Sequence, residues 1–165
     1  MPDELRIHEA FQNGDLEAVA LAVGEGFPSC RLPFQSTSCL EYAIYHSPLP
    51  FIARLLALGA DPNYESEGGF PSLIAALSTE REDRYRLLEL LIGAGADLNQ
   101  RGVNDWTPLH YAASQDDAAA IELLVAKGAD LNARSGIDDY ATPLEEAENL
   151  GRAKAVKALS RARQG

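Results

Sequence analysis

The sequence predicts an all-α fold, a solenoid of about five helix-turn-helix units stacked along one axis. The first observation behind this prediction is the motif Gly-Ala-Asp-x-Asn, which begins at Gly59, Gly95 and Gly128. These copies are 36 and 33 residues apart, and a motif that returns at nearly constant spacing indicates one structural unit copied along the chain. A stack of such units has no single cleft, so its function is expected along a surface.

The second observation is a leucine that follows the same period. It lies 14 residues after Gly26, Gly59 and Gly95, and 16 residues after Gly128. A short helix-favouring stretch follows each leucine, and then a second apolar run, such as residues 121–124, ends at the next glycine. Each unit is therefore predicted to be a helix, a turn, a second helix and an extended loop. The leucines are Leu40, Leu73, Leu109 and Leu144.

Local signals at the ends of the predicted helices agree with this register. Thr107 is a good N-cap because its hydroxyl can accept a backbone amide that is unpaired at a helix start. Pro108 follows at the first helical position, where a missing amide is tolerated. Gly59, Gly95 and Gly128 each follow an apolar run, where a left-handed residue is expected to end the helix.

These residues resemble the ankyrin-repeat family. Residues 107–112 read Thr-Pro-Leu-His-Tyr-Ala, which matches the family signature Thr-Pro-Leu-His-x-Ala, and the motif at Gly128 is similar to its loop-opening motif. The resemblance extends from about Leu5 to about Leu159, and it implies that His110 makes a structural hydrogen bond between adjacent loops. We expect a single domain over residues 1–165. Its expected repeats are an N-terminal repeat at about 3–34, three full repeats at about 35–67, 68–101 and 102–134, and a closing repeat at about 135–162.

The sequence departs from the repeat pattern at two insertions. Three extra residues separate the two helices of one unit around residues 78–83, and two extra residues lengthen the loop within residues 135–141. Such insertions are either drift at exposed turns or part of a binding face, and the sequence leaves both interpretations open.

Charge is distributed unevenly along the chain. The first 150 residues contain nine basic and 25 acidic residues, a net charge of −16, whereas the remaining residues carry +5. An acidic body argues against nucleic acid as a partner, because nucleic-acid binding needs a basic surface. It suits a protein partner with a basic surface, although solubility alone also explains it. The basic tail fits the C-terminal end of a helix and the polar outer face of a terminal repeat.

Residues that could support catalysis or hold a metal ion are scattered. His8 and His46 have no second ligand at a spacing typical of metal sites, and carboxylate pairs such as Asp138-Asp139 lie in predicted turns or helix starts. We therefore expect no cofactor, no metal and no enzyme activity. The remaining alternative in this class is a metal-dependent enzyme or small-ligand module that uses the acidic turns at residues 80–83 and 138–139.

The compartment and the oligomeric state are expected from composition. No apolar run approaches the roughly 20 residues of a membrane helix, and the N-terminal residues show no signal peptide. Two cysteines, Cys30 and Cys39, give neither a disulfide framework nor a metal spacing, and buried or half-buried thiols are the simplest interpretation. We expect a cytoplasmic monomer with no membrane partner.

In the ankyrin-like fold, loops and first helices line a concave face, so variable residues there are candidates for binding. Aromatic residues are emphasised because Trp and Tyr dominate interface hot spots. The alternative for the aromatic rings is that they pack on neighbouring loops and stiffen them. Tyr64 is a further aromatic position in a loop. The candidate protein-binding residues are Phe34, Tyr45, His46, Glu67, Phe70, Val103, Asn104, Trp106, Ser114, Gln115 and Tyr140.

The sequence thus predicts a non-catalytic protein–protein interaction module, an adaptor or scaffold that binds through its concave face. The alternative within this class is a dedicated inhibitor or immunity-type protein that sequesters a basic enzyme or toxin. The sequence does not distinguish these two functions.

Overall fold

The computed structural model of the chain describes residues 2–29, 31–32, 37–136 and 140–164. Within these residues it contains ten α-helices and one 3₁₀ turn. The helices are α1 (Pro2–Asn13), α2 (Leu16–Val23), α3 (Cys39–His46), α4 (Leu49–Ala57), α5 (Ser72–Ser78), α6 (Arg84–Gly93), α7 (Pro108–Ser114), α8 (Ala118–Ala126), α9 (Pro143–Asn149) and α10 (Ala153–Gln164), and the 3₁₀ turn is Val103–Asp105.

The helices form five pairs that stack side by side. The first helices make one row, in which α1 packs on α3, α3 on α5, α5 on α7 and α7 on α9, and the second helices form the layer behind them. Leu40, Leu73 and Leu109 are buried between the layers with 1%, 2% and 0% exposure. Leu144, in the last pair, is only half-buried. The predicted all-α solenoid is confirmed.

Side chains cap the first helices as the sequence predicts. Thr107 accepts a hydrogen bond from the His110 amide at the start of α7, and Thr142 accepts one from the Glu145 amide at the start of α9. Pro108 lies at the first helical position of α7. The three motif glycines also have the predicted left-handed backbone, with φ of 97°, 96° and 100°.

The Asp and Asn residues of the repeated motif join one repeat to the next. Asp61 accepts the backbone amide of Asn63 at 2.8 Å, which fixes a tight turn. The Asn63 side chain then donates to the Gly95 carbonyl at 2.9 Å and accepts the Asp97 amide at 2.7 Å, both in the next unit. Asn99 accepts an amide of the following unit in the same way, at 3.1 Å. The Asn side chains of the motif therefore link successive repeats through hydrogen bonds to backbone groups.

His110 makes the predicted structural contact between loops. Its Nδ1 accepts the Thr107 amide at 3.3 Å, so the proton lies on Nε2, which donates to the Ala141 carbonyl of the next loop at 2.9 Å. The residue is 0% exposed, and this burial lowers the pKa of the imidazole and keeps it neutral.

The three-residue insertion is bonded to the preceding repeat. The Arg81 guanidinium donates to the Ile44 carbonyl at 2.9 Å and to the Ser47 carbonyl at 3.1 Å, at the C-terminal end of α3. The same guanidinium pairs with Asp83 and lowers the pKa of that carboxyl group. The insertion thus supplies partners for carbonyls that a helix end leaves unpaired.

None of the helices in the described residues combines the length and the apolar character needed to span a membrane.

Candidate protein-binding surface

The loop that carries Trp106 has a fixed and unusual backbone. Asn104 and Asp105 have φ of 57° and 55°, in the left-handed region that non-glycine residues rarely adopt. The turn is closed by the Gly102 amide, which donates to the Trp106 carbonyl at 2.9 Å. Arg101 donates to the Asp105 carbonyl at 2.9 Å and to its carboxylate at 2.7 Å. Trp106 therefore stands at the end of a turn that is held at several points.

Neighbouring loops touch through their backbones. The Val103 amide donates to the Gly69 carbonyl of the preceding loop at 2.6 Å. This approach needs glycine at position 102, because a Cβ there would lie 2.7 Å from Pro71 Cδ and 2.8 Å from Ile74 Cδ1. The loops that carry Gly69 and Val103 therefore pack directly on each other, and we call the row of loops between successive repeats the ridge.

An arginine–carboxylate pair occurs at three points along this ridge. The shortest N–O distances are 2.8 Å for Arg31–Glu67, 2.7 Å for Arg101–Asp105 and 3.4 Å for Arg134–Glu145. All three pairs are substantially exposed, so each contributes at most about 1 kcal/mol to stability. The pairs matter for the charge of the surface, because the positive charge of each loop arginine is offset by a carboxylate of the same chain.

Aromatic side chains lie along the ridge and the first helices. Phe70 is half-buried, packs against the core, and meets the ring of Tyr111 in an edge-on contact with centroids 6.4 Å apart. Trp106 is half-buried, and Tyr140 is 63% exposed with φ of 49°. Arg134 donates to the Tyr140 carbonyl at 2.7 Å and holds its backbone in place.

Four of the predicted residues lie at the other end of the first helices. Tyr45 is 42% exposed, and its hydroxyl lies 3.1 Å from Ser78 Oγ on the next first helix. His46 is exposed and its ring lies edge-on to His8, with centroids 5.0 Å apart. Partial desolvation is the main reason that the pKa of His46 is lowered, and the charge of the neighbouring His8 lowers it further. Gln115 is exposed at the corresponding end of α7.

The predicted residues therefore fall into two groups. Glu67, Phe70, Val103, Asn104, Trp106 and Tyr140 lie on the loop ridge, and Tyr45, His46, Ser114 and Gln115 lie at the C-terminal ends of the first helices. A seven-residue helix such as α7 separates the two groups by about 10 Å, at about 1.5 Å per residue. One partner surface of ordinary size can cover both groups.

Two aromatic or polar positions considered from the sequence are more buried than expected, and a third candidate is not described by the structure. Ser114 is only 5% exposed, and its hydroxyl donates to the Tyr111 carbonyl in its own helix, which leaves little surface for a partner. Tyr64 is 7% exposed and donates to the Phe70 carbonyl at 3.2 Å, so it supports the loop from inside. Phe34 lies outside the described residues.

In the acidic turn at residues 80–83, Arg81 contacts both carboxylate oxygens of Asp83, so this carboxylate is paired within the chain. Among the residues that the structure describes, no group of three or more His, Cys, Asp or Glu side chains is arranged to hold a metal ion. Asp138 and Asp139 lie outside them.

A comparison with protein families identifies the fold. A family model described as ankyrin repeats (3 copies) matches residues 73–164, which is more than half of the chain. This chain belongs to the ankyrin-repeat family. Ankyrin repeats are protein–protein interaction modules, so the ridge and the first helices are the surface to consider for a protein partner.

Curated relatives share the repeats within much longer proteins. The chain is 36% identical to RelA-associated inhibitor from Mus musculus over 108 residues, which cover 66% of this chain and 13% of the relative. It is 35% identical to alpha-latroinsectotoxin-Lt1a from Latrodectus tredecimguttatus over 83 residues, which cover 50% of this chain and 6% of the toxin. Alpha-latrocrustotoxin-Lt1a from the same organism is 32% identical over 83 residues. The chain thus spans a small fraction of the length of these relatives.

Two features of the ankyrin-repeat surface escaped prediction from the sequence. Tyr111 occupies the variable position of the Thr-Pro-Leu-His-x-Ala signature, equivalent to Tyr42 in an earlier repeat, and a search of that position would have found it. Arg101 and Arg134 each lie two residues after a motif Asn, so their 33-residue spacing was visible, but their pairing with carboxylates was not.

Proposed function

We propose that this ankyrin-repeat chain binds a protein with a basic surface through its loop ridge and first helices, as an adaptor or scaffold without catalysis. The observation that carries the proposal is the alignment of aromatic side chains from successive repeats along a ridge whose arginines are already paired with acids. The binding residues are those of the two groups above, with Tyr111 added and Ser114 left out. We place the protein in the cytosol, because two cysteines in 165 residues do not make the disulfide framework of small secreted domains.

The charge of the ridge supports a basic partner. Arg31, Arg101 and Arg134 each contact a carboxylate of this chain, so they add little positive potential of their own. Glu65 is exposed nearby, and the first 150 residues carry a net charge of −16. A negative surface accelerates encounter with a positive one and repels nucleic acid. Binding should therefore weaken as the salt concentration rises.

The backbone around Trp106 supports this residue as an anchor. Its loop is closed by the Arg101–Asp105 contacts and by the bond from Gly102 before any partner arrives. Indole and phenol rings bury a large area while few rotatable bonds become fixed. Because the loop is already ordered, binding loses less conformational entropy than binding by a mobile loop would.

The test is affinity capture of the native partner by the intact chain and by Trp106→Ala and Tyr140→Ala, followed by titration of the identified partner. Truncation of a hot-spot aromatic typically weakens binding by about 2 kcal/mol or more, which is roughly 30-fold in Kd. We expect this loss for Trp106→Ala without a change in helix content. Tyr85→Ala is the matched control, since Tyr85 is 39% exposed on the second helix α6.

Three results would contradict the proposal. Equal losses of affinity for Trp106→Ala and Tyr85→Ala would mean that the ridge is not the binding surface. Unfolding of Trp106→Ala would make the indole a structural residue. A partner whose affinity rises with salt would exclude the electrostatic part of the argument.

The second candidate within this class is a dedicated inhibitor. The relative named RelA-associated inhibitor, which aligns with 66% of this chain, favours it. The two functions differ in one measurement. An inhibitor abolishes the activity of the captured partner at stoichiometric concentration, whereas an adaptor leaves that activity intact.

A further inference from the structure

The layer of second helices contains an open groove between α8 and α10. Part of its lining is apolar, with Ile121 and Val125 on α8 and Ala158 and Ala162 on α10. The groove has a volume of about 370 Å³, and none of the ridge residues lines it. It is therefore a second surface of the molecule, separate from the candidate protein-binding surface.

A short side chain on α10 keeps this groove open. Asp117 and Arg152 are equivalent residues, because each precedes a second helix and each amide donates to the carbonyl five residues earlier, at 3.1 and 2.8 Å. Six residues further on, α8 has Leu123 whereas α10 has Ala158. Since Ala158 lines the groove, a leucine in its place would occupy part of the space. The alanine leaves this space for a ligand.

Three cations of α10 border the groove. They are Lys154, Lys157 and Arg161, and Glu122 of α8 is the acidic residue of the lining. Because the cations are three and four residues apart, they lie along one face of the helix. All three are exposed, and within the described residues none of them forms an ion pair. The groove therefore combines an apolar lining with a positive edge.

This combination fits a helix of opposite charge. We propose that the groove binds an acidic amphipathic helix of a partner protein, with apolar side chains against Ile121 and Val125 and carboxylates on the three cations. The cations extend from Lys154 to Arg161, which is about 10 Å along α10 at about 1.5 Å per residue. Carboxylates at positions i, i+3 or i+4, and i+7 of a partner helix have the same spacing, and a groove between two helices is a common seat for such a helix.

The charge of the whole chain favours a single helix over an anionic membrane as the ligand. The net charge is −11, so the positive edge is a local exception on an acidic molecule. Charges act over about 8 Å at physiological salt, and a flat anionic bilayer is repelled by the acidic remainder of the chain. A helix contacts the groove alone, where three cations face one acid.

The groove and the ridge are independent binding surfaces, because they share no residue. A chain with both surfaces occupied would join a basic protein to an acidic one, which an adaptor requires and a dedicated inhibitor does not. Binding at either surface can fail its test without changing the result at the other.

The probe for the test is a synthetic helical peptide with glutamates at i, i+4 and i+7 and leucines on the adjoining face. Its binding to the 165-residue chain is titrated by fluorescence anisotropy. Two salt concentrations, about 50 mM and about 500 mM, give Debye lengths of about 14 and 4 Å. We expect binding that weakens at high salt, and binding about tenfold weaker for the same peptide with glutamine in place of glutamate. In NMR spectra, the amide signals of Ile121, Val125 and Ala158 should shift, while the indole signal of Trp106 should not.

Variants of the charged edge give matched comparisons. Lys157→Glu/Arg161→Glu should weaken binding about tenfold or more, and Lys157→Gln/Arg161→Gln should weaken it less. Glu122→Gln removes the acid of the lining and should strengthen binding about threefold. The control is Arg54→Glu/Arg86→Glu on α4 and α6, which makes the same charge change on exposed side chains outside the groove and should alter the affinity little.

A change of shape without a change of charge tests the apolar lining. Ala158→Leu partly fills the groove and should weaken binding of the peptide. Ala119→Leu makes the same replacement at an exposed position of α8 outside the lining and should not. Circular dichroism of every variant separates a loss of binding from a loss of folding.

Several outcomes would overturn this assignment of the groove. They are an absence of binding by the glutamate peptide, equal binding of the glutamate and glutamine peptides, and equal affinities for Lys157→Glu/Arg161→Glu and its control. Binding that leaves the groove amides unshifted would place the peptide on another surface. Binding of phosphatidylserine vesicles without binding of the peptide would make the positive edge a membrane contact instead.

Discussion

Replacement of His110 by alanine tests how strongly one buried side chain holds two repeats together. The imidazole is 0% exposed and bonds Thr107 on its own helix and the Ala141 carbonyl of the next loop. The substitution leaves the buried Thr107 amide without this partner, whereas the Ala141 carbonyl keeps its hydrogen bond from the Ser135 amide at 3.0 Å. One unsatisfied buried group costs about 1–3 kcal/mol and one lost hydrogen bond about 1 kcal/mol, so His110→Ala should lose roughly 2–4 kcal/mol of unfolding free energy.

The chain contains a matched control for this experiment. His8 is the equivalent residue of the N-terminal repeat, but it is half-buried and its Nδ1 makes a hydrogen bond of 2.6 Å to the Tyr42 hydroxyl. A side-chain bond of this kind is worth about 1 kcal/mol, so His8→Ala should be much milder than His110→Ala. The measurement is urea unfolding followed by circular dichroism at pH 7.5. Equal losses for the two variants, or a loss below about 1 kcal/mol for His110→Ala, would refute this account of the histidine as a link between repeats.

The same histidine gives a dependence on pH whose sign follows from its burial. Burial lowers the pKa of His110 in the folded chain below the ordinary histidine value of 6.5. The folded state therefore binds fewer protons than the unfolded state, and its stability falls as the pH falls below about 6.5, by up to about 1.4 kcal/mol per unit. The stability difference between the native chain and His110→Ala should shrink over this range. If this difference in stability stays constant down to pH 5, the pKa of His110 is not lowered by folding and the argument fails.

Further substitutions can be checked with the same unfolding assay. Gly102→Ala should lose about 1–3 kcal/mol because its Cβ meets atoms of three residues, Gly69, Pro71 and Ile74. Gly93→Ala, whose Cβ meets nothing within 4 Å, should be neutral or slightly stabilising. Asn63→Ala should lose about 1–3 kcal/mol through its two bonds to the next repeat. Arg81→Ala should destabilise the chain while Arg81→Lys recovers only part of the loss, since one ammonium cannot reproduce the guanidinium fork. Burial raises the pKa of Glu41, so the ionised side chain opposes folding. Glu41→Gln should therefore stabilise the chain at pH 7. This gain in stability should disappear as the pH falls through the pKa of Glu41 in the folded chain toward 4.5.

The fold could be predicted because its signals are local and repeated. A left-handed glycine, a threonine cap and a proline at the first helical position each have a physical reason that involves only a few adjacent residues. Thr107, Pro108 and Gly128 meet these requirements, and the structure confirms all three. Repetition then adds independent copies of the same observation.

The exposure of single side chains could not be predicted in this way. Tyr64 and Tyr140 both lie in loops, yet one is 7% and the other 63% exposed. The difference arises from contacts between repeats, since Tyr64 donates to the Phe70 carbonyl while Tyr140 has its backbone held by Arg134. Likewise, Asn104 has a left-handed backbone conformation although it is not a glycine. The sequence does not predict this conformation, because it depends on the hydrogen bonds around the turn.

The two insertions show that a departure from the repeat pattern does not by itself mark a binding surface. Within residues 78–83, Arg81 donates to two carbonyls of the preceding repeat, so the extra residues serve contact between repeats. Within residues 135–141, the backbone of Tyr140 is held at φ of 49° by a bond to its carbonyl, while its side chain remains 63% exposed. A residue in a sparsely populated backbone conformation needs support from its surroundings. Here the bond from Arg134 supports the backbone of Tyr140, and the tyrosine ring remains exposed to solvent. Because this backbone is already ordered, we propose Tyr140, rather than a residue of the first insertion, as a recognition residue.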